Sequence, residues 1–300
     1  MKQLLFILFI SVVISSNNYE SIYNLSSNAR NAAMGGIHIS YNTVSSLFDA
    51  PLSFDVEKSY DNDVLFSFNN QYNNNIEVMH FAYCIYSSEK NKLGFGLVNR
   101  LIDNNFNTSY AWQDNGDGIP TQDEIDYNQI FKFKDQEIGL LISYNHYLNE
   151  KSAFAINIKP LYHSIGGLSA TGFGLDAMYT RKTNLGNASL ILSDLWSTKK
   201  WDFGIVEKLQ PTVYLNSEFN YGKIILCIEF DSNSNGYGGI EYSVNRLINL
   251  RMGSNKSYTS LGVGLNLNLI TFDYVYMHNN YLLGNSHMLS FAFDIRQFSQ

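Results

Sequence analysis

Apolar residues recur at every second position along most of this chain, the period of a β-strand seen from one face. Leu93, Phe95 and Leu97 alternate with Gly94, Gly96 and Val98. Ile138, Leu140, Ile142 and Tyr144 alternate with Gly139, Leu141, Ser143 and Asn145, and the rhythm returns over 153–159, 173–180, 224–231 and 261–269. The last such run sets Leu289, Phe291, Phe293 and Ile295 against Ser290, Ala292, Asp294 and Arg296. Clusters of turn-forming residues at 73–75, 88–91, 149–151, 184–187, 233–236 and 254–256 separate the runs. From about residue 64 onward this spacing predicts roughly twelve to fourteen strands, each long enough to cross a bilayer at a tilt.

Period two does not say which face meets water. A β-sandwich turns its apolar face inward, whereas a membrane barrel turns it to lipid and keeps the polar face in the lumen. The front of the chain favours the barrel. Met1-Lys2-Gln3 and the apolar run from Leu4 to Ile14 read as a secretory leader, too short to span a bilayer stably. Cleavage is predicted near Ser15 or Ser16, and no cysteine follows to carry a lipid anchor. No later stretch offers the roughly twenty apolar residues of a transmembrane helix.

One segment breaks the strand rhythm. Ser26 to Gly36 reads as a short helix, with Ser or Asn to cap it, alanines to fill it and the pair Gly35-Gly36 to end it. It precedes every strand, which predicts a plug in the lumen; the other available place is the periplasmic rim. The expected organisation is a signal peptide at 1–16, a hatch segment at 17–55 and a barrel at 56–300. The fold class is all-β: a transmembrane antiparallel barrel of about fourteen strands.

Composition sharpens this picture. Hydrophobic residues make up 45% of the chain, and 21 Tyr and 20 Phe bring aromatics to 15%, an excess that suits interfacial girdles. A net charge of −7 excludes an electrostatic nucleic-acid footprint. Cys84 and Cys227 each fall on the polar face of a strand run and are expected as isolated thiols.

The stretch from Ala29 to Phe48 and a series of short motifs from Gly239 to Ser290 together resemble the PorV/PorQ family of outer-membrane proteins, relatives of the fatty-acid transporter FadL. Ala29-Arg30-Asn31-Ala32-Ala33-Met34-Gly35-Gly36 followed by Ser45-Ser46-Leu47-Phe48 is similar to that family's opening stretch. Gly239-Ile240-Glu241-Tyr242, Leu250-Arg251-Met252-Gly253, Leu261-Gly262-Val263-Gly264, Phe272-Asp273-Tyr274 and the segment from Leu283 to Ser290 resemble its terminal hairpins. The departure is Asp49-Ala50-Pro51, where the family has Asn-Pro-Ala. The resemblance implies a location in the bacterial outer membrane, about fourteen strands and an N-terminal hatch. It also implies a role in type IX secretion, with exported cargo proteins or other secretion components as partners, or passage of hydrophobic molecules.

Residues that could carry chemistry are few. Gln113 to Glu124 approximates a twelve-residue calcium loop with Gly118 at its sixth position. Its oxygen ligands would be Gln113, Asn115, Asp117, the Ile119 carbonyl, Thr121 and a bidentate Glu124. An acidic solvated turn is the other reading. The six histidines lack metal-ligand spacing, and no serine sits in a nucleophile-elbow pattern, so no enzyme is expected. In the lumen, Arg30, Met34, Gly35 and Gly36 belong to the hatch, and Arg30 is expected to pair with a wall carboxylate such as Asp176, Glu229 or Asp273.

The leading expectation is therefore a non-enzymatic secretion or transport barrel of PorV/PorQ type, surrounded by outer-membrane lipid. FadL-like uptake is the rival within the barrel and would need a continuous apolar pocket beside the hatch. A cargo shuttle would need exposed apolar loops. A secreted β-sandwich adhesin or scaffold is the rival outside it.

Overall fold

The computed structural model describes residues 21–39, 44–50, 63–88, 90–116, 118–119, 121–267 and 270–294. The leader, Pro51, Asp117, Ile295 and Arg296 lie outside the described residues. Fourteen long strands follow one another: β1 (Asp63–Gln71), β2 (Ile76–Ser87), β3 (Asn91–Asn107), β4 (Phe131–Asn149), β5 (Ser152–Ile165), β6 (Leu168–Lys182) and β7 (Asn187–Trp201), then, after a two-residue strand β8 (Val206–Glu207), β9 (Thr212–Tyr221), β10 (Ile224–Asp231), β11 (Gly236–Ser243), β12 (Ile248–Ser254), β13 (Tyr258–Leu267), β14 (Ile270–Asn279) and β15 (Ser286–Asp294).

Each long strand pairs antiparallel with the next one, and β1 pairs with β15, Phe66 facing Phe291. The ring is complete, so the sheet has no free edge. β8 only extends the end of β7.

The alternation resolves in favour of the barrel. On β10, Leu226 and Phe230 are 45% and 62% exposed, whereas Cys227 and Glu229 between them are fully buried. The apolar face thus points outward and the polar face inward, the reverse of a sandwich, and the β-sandwich reading is corrected. Both cysteines are buried, and neither is in a disulfide.

The turns form where Asn, Ser and Gly cluster. At 72–75, Tyr72, Asn73 and Asn74 all take positive φ, a conformation asparagine tolerates better than most residues. Connections at 88–90, 150–151, 183–186, 222–223 and 244–247 are short and share one end of the barrel. Those at 108–130 and 202–211 are longer and share the other. The wall is also uneven. β3 and β4 run 17 and 19 residues, against 7 to 10 for β10 to β15, so one side rises well beyond the other.

The N-terminal segment lies inside. A 3-10 turn at Ile22–Asn24 meets β3 and β4, the helix Ala29–Ala33 packs on β12 to β15, and a second 3-10 turn at Val44–Phe48 returns to β1, β2 and β3. Asn28 caps the helix by accepting from the Asn31 N–H at 2.9 Å, and Gly35 and Gly36 end it at φ of +85° and +77°. The helix is buried against the wall, which corrects the rim placement.

Candidate functional site

The lumen is the site, and glycines shape it. Inward positions Gly94 and Gly96 leave room for Leu47 and Phe48 of the hatch, and Gly139 leaves room for the Tyr23 ring. Gly239 and Gly253 lie against the backbone of Met34 and Gly35, and Gly262 lies against Ala33. A Cβ at any of these six would come within 3 Å of the hatch. The small residues of the alternating runs are therefore seats.

Polar bonds add to this packing, some to the wall and some within the hatch. The Tyr23 hydroxyl reaches the carbonyls of Leu140 and Pro160, at 2.9 and 2.5 Å. Asp49 accepts from Ser27 Oγ and Asn31 Nδ2, both at 2.6 Å, and so ties the second turn to the start of the helix. That gives a local role to the aspartate at the point of departure from the PorV/PorQ pattern. Met34 and Gly35 are held through their backbones, and the Gly35 carbonyl accepts from Asn255 Nδ2 at 2.9 Å.

The expected wall carboxylates all face the lumen, but with other partners. Arg30 makes a two-pronged pair with Glu241, Nε to Oε2 at 2.9 Å and Nη2 to Oε1 at 2.8 Å, which corrects the expected pairing with Asp176, Glu229 or Asp273. Arg251 then links Glu241 to Asp273 through two contacts of 2.5 Å. Glu229 holds the hatch at His38, accepting from its backbone N–H at 3.0 Å and meeting Nδ1 at 2.9 Å. Asp176 belongs to a third cluster with Lys159 and Asp194, whose Nζ–Oδ1 distances are 2.6 and 2.7 Å.

This third cluster sits where the β6–β7 ladder is interrupted. Leu175 pairs with Trp196 and Ala177 with Leu192, so β7 carries extra residues, among them Asp194 at φ +54°. The Asp194 N–H donates to Asp176 Oδ1 at 2.8 Å. Lys159 lies 5.1 Å from the Tyr23 ring centroid, coupling the bulge to the hatch. Glu241, Arg251, Lys159 and Asp194 were not singled out from sequence, although period two puts Glu241, Arg251 and Lys159 on the polar face.

Towards the long-loop end, Arg100 pairs with Glu137 at 2.7 Å, His163 with Asp135 at 2.8 Å and Lys199 with Glu207 at 2.8 Å. Towards the short-turn end lies a chamber of about 250 Å³ bordered by Arg30, Glu241, Asn249, Arg251, Asn266 and Asp273. Its lining is mostly polar. Beside the hatch, Tyr23, Leu161, Phe173 and Leu209 border a mostly apolar cleft of about 20 Å³, far smaller than the continuous apolar pocket expected for uptake.

The loop at 108–130 is ordered by its own bonds. The Gln113 N–H donates to the Glu124 carbonyl at 2.8 Å and the Asp126 N–H to the Ala111 carbonyl at 2.7 Å. The Glu124 carboxylate accepts from Trp112 Nε1 (3.1 Å) and Thr121 N–H (3.2 Å) on Oε2, and from Asn115 N–H (3.3 Å) on Oε1. Gln113 Nε2 donates to the Tyr110 carbonyl, and Asp117 is outside the described residues. Ile119 and Thr121 are exposed. Two donors fill the lone pairs of Glu124 Oε2, so bidentate ligation of calcium would require breaking bonds the loop already makes.

The Trp112 indole N–H, helped by the Thr121 and Asn115 amides, holds the Glu124 carboxyl below its ordinary value of 4.5. A depressed folded value means stability that is complete above the unfolded value and lost as pH falls through the folded one. Limited proteolysis of 113–126 should therefore accelerate below about pH 4.5. Glu124→Gln should accelerate it at neutral pH, equally in chelator and in millimolar calcium. Protection that appears only with calcium would contradict the cap.

No protein-family model and no curated protein sequence matches the chain. Solved structures do. The toluene transporter TodX of Pseudomonas putida superposes with a TM-score of 0.66 at 10% identity, covering 92% of this chain and 100% of the transporter. The chain has the fold of FadL-type outer-membrane barrels. The toluene transporter TbuX of Ralstonia pickettii matches with a TM-score of 0.62 at 8% identity, over 91% of this chain and 99% of that one. A Pseudomonas aeruginosa FadL homologue matches at 0.56 and 10% identity, over 89% of this chain and 98% of that one.

Proposed function

We propose that this protein is a non-enzymatic transport barrel of the bacterial outer membrane, taking up a hydrophobic small molecule. The observation that carries the reading is a closed fourteen-strand ring threaded by its own N-terminal segment, an architecture shared with proteins described as toluene transporters. The outward apolar face supplies the lipid contact, and the end with the long loops faces outside the cell. The polar chamber and the seated hatch imply that an apolar solute passes only when the hatch shifts. Cells carrying the protein should accumulate radiolabelled toluene faster than cells lacking it. Equal initial rates overturn the uptake reading.

A second reading, secretion of PorV/PorQ type, is favoured by a separate observation. Tyr110, Ile119, Tyr127 and Phe131 are exposed on or beside the loop at 108–130, which β3 and β4 raise above the rest of the rim. Apolar side chains displayed on an ordered, raised loop suit contact with exported polypeptides. On this reading, replacing 113–126 by a short Gly/Ser linker lowers surface delivery of exported proteins and leaves toluene uptake unchanged.

A further inference from the structure

The short side of the wall brings a turn down to the level of the lipid. β14 has ten residues; at about 3.4 Å per residue and a tilt near 45° it rises about 24 Å, the height of the apolar band of such a barrel. Its outward side chains in the upper half are Tyr276 and His278, with His287 of β15 directly opposite Tyr276; Tyr274 sits lower, opposite Leu289, and only its hydroxyl reaches up to that histidine. Tyr274 Oη meets His287 Nδ1 at 2.7 Å, and the Tyr276 and His287 rings lie 5.3 Å apart. These polar-tipped rings mark the interface. By the same arithmetic the 19 residues of β4 carry the loop at 108–130 about 20 Å higher.

The turn at 280–285 follows the girdle at once and reads Asn-Tyr-Leu-Leu-Gly-Asn, without a charge. Its base is fixed. His278 Nδ1 meets Asn285 Oδ1 at 3.0 Å, the Asn285 N–H donates to Asn73 Oδ1 at 3.1 Å, and the Asn280 N–H donates to the Ser257 carbonyl at 2.9 Å. Two neighbouring turns thus hold it in place. Its tip has no such cover: Tyr281 is 51% exposed, Leu283 59%, and Leu282 is as exposed as in an extended peptide, at 106%.

We propose that Tyr281, Leu282 and Leu283 insert into the headgroup–acyl boundary of the outer leaflet and anchor the short side of the barrel there. The occupant is a lipid surface because the tip continues the girdle, lies within a few residues of the end of the apolar band and carries no charge. The raised loop at 108–130, with its five carboxylates and no basic residue, belongs in water.

Site-directed spin labelling of the full-length protein in phospholipid vesicles tests this. Cys84 and Cys227 are buried, so a label attaches selectively to an introduced cysteine. A label at Leu282→Cys should collide with oxygen several-fold more than with a water-soluble nickel chelate, as a belt control at Leu289→Cys does. Asn115→Cys in the raised loop should show the opposite ratio. A label at 282 that behaves like the one at 115 overturns the proposal. So does dipolar broadening between labels at 282, which would place a second copy of the chain there instead of lipid.

Discussion

Gly253→Ala is expected to destabilise this barrel, the opposite of what alanine usually does inside a strand. Glycine within a strand costs about 0.5–1 kcal/mol relative to alanine, so the substitution should normally help. Here the added methyl would meet the Met34 carbonyl carbon, the Gly35 nitrogen and the Ala33 oxygen, all within 3 Å. These are backbone atoms, which no rotamer change can move aside. Overpacking of this kind costs about 1–3 kcal/mol, and Gly253→Val more. Gly238 is the internal control: its neighbouring position on β11 has nothing within 4 Å of a Cβ, so Gly238→Ala should be neutral or mildly stabilising. Guanidinium unfolding of the detergent-solubilised variants gives the signs. If both substitutions stabilise, Met34 and Gly35 at the end of the helix are not seated on β12.

Lys159→Met should produce the largest single loss. Lys159 is 1% exposed, and its ammonium is shared between the buried carboxylates of Asp176 and Asp194 while lying over the Tyr23 ring. Removing it leaves two acidic groups without their cation in a site with little access to water, which costs about 3–5 kcal/mol where one partner of a buried pair is deleted. Adding Asp176→Asn and Asp194→Asn should restore much of the loss. The amide oxygen at 176 still accepts from the Asp194 N–H position, and no charge remains uncompensated. A loss below about 1 kcal/mol for Lys159→Met alone would show that this cluster does not hold the β6–β7 seam together.

The wall of this protein is legible in its sequence because lipid and lumen impose strict alternation. Leu226, Ile228 and Phe230 read as one face, and Cys227 and Glu229 as the other, before any coordinates are known. The turns are legible for the same local reason: Asn73 and Asn74 stand where φ must be positive. The hatch helix is legible from Asn28, its alanines and Gly35-Gly36.

What was not legible depends on closure. Whether Arg30 meets Glu241 or Asp273 follows from how far the segment travels across the lumen, and no local pattern encodes that distance. The bulge at Asp194 lies in the run 187–201, where apolar residues stand side by side at Leu190-Ile191-Leu192 and Leu195-Trp196, so period two does not fix its register. Glu124 matched a calcium-ligand position by spacing, yet its oxygens face Trp112, Thr121 and Asn115 because the loop folds back on itself through the bridge between Trp112 and Ile125. Glycine at 94, 96, 239, 253 and 262 reads as weak strand sequence until the hatch is placed against it.

The central claim is that the N-terminal segment fills a closed fourteen-strand ring. Single-channel recording of the purified full-length protein in a planar bilayer tests it most directly, because an empty ring of this size would leave an aqueous channel. The expected result is a membrane with no steady conductance above its own background, and bursts of conductance once Gly253→Val displaces the helix from its seat. A steady, open-pore conductance from the unaltered protein would contradict the account.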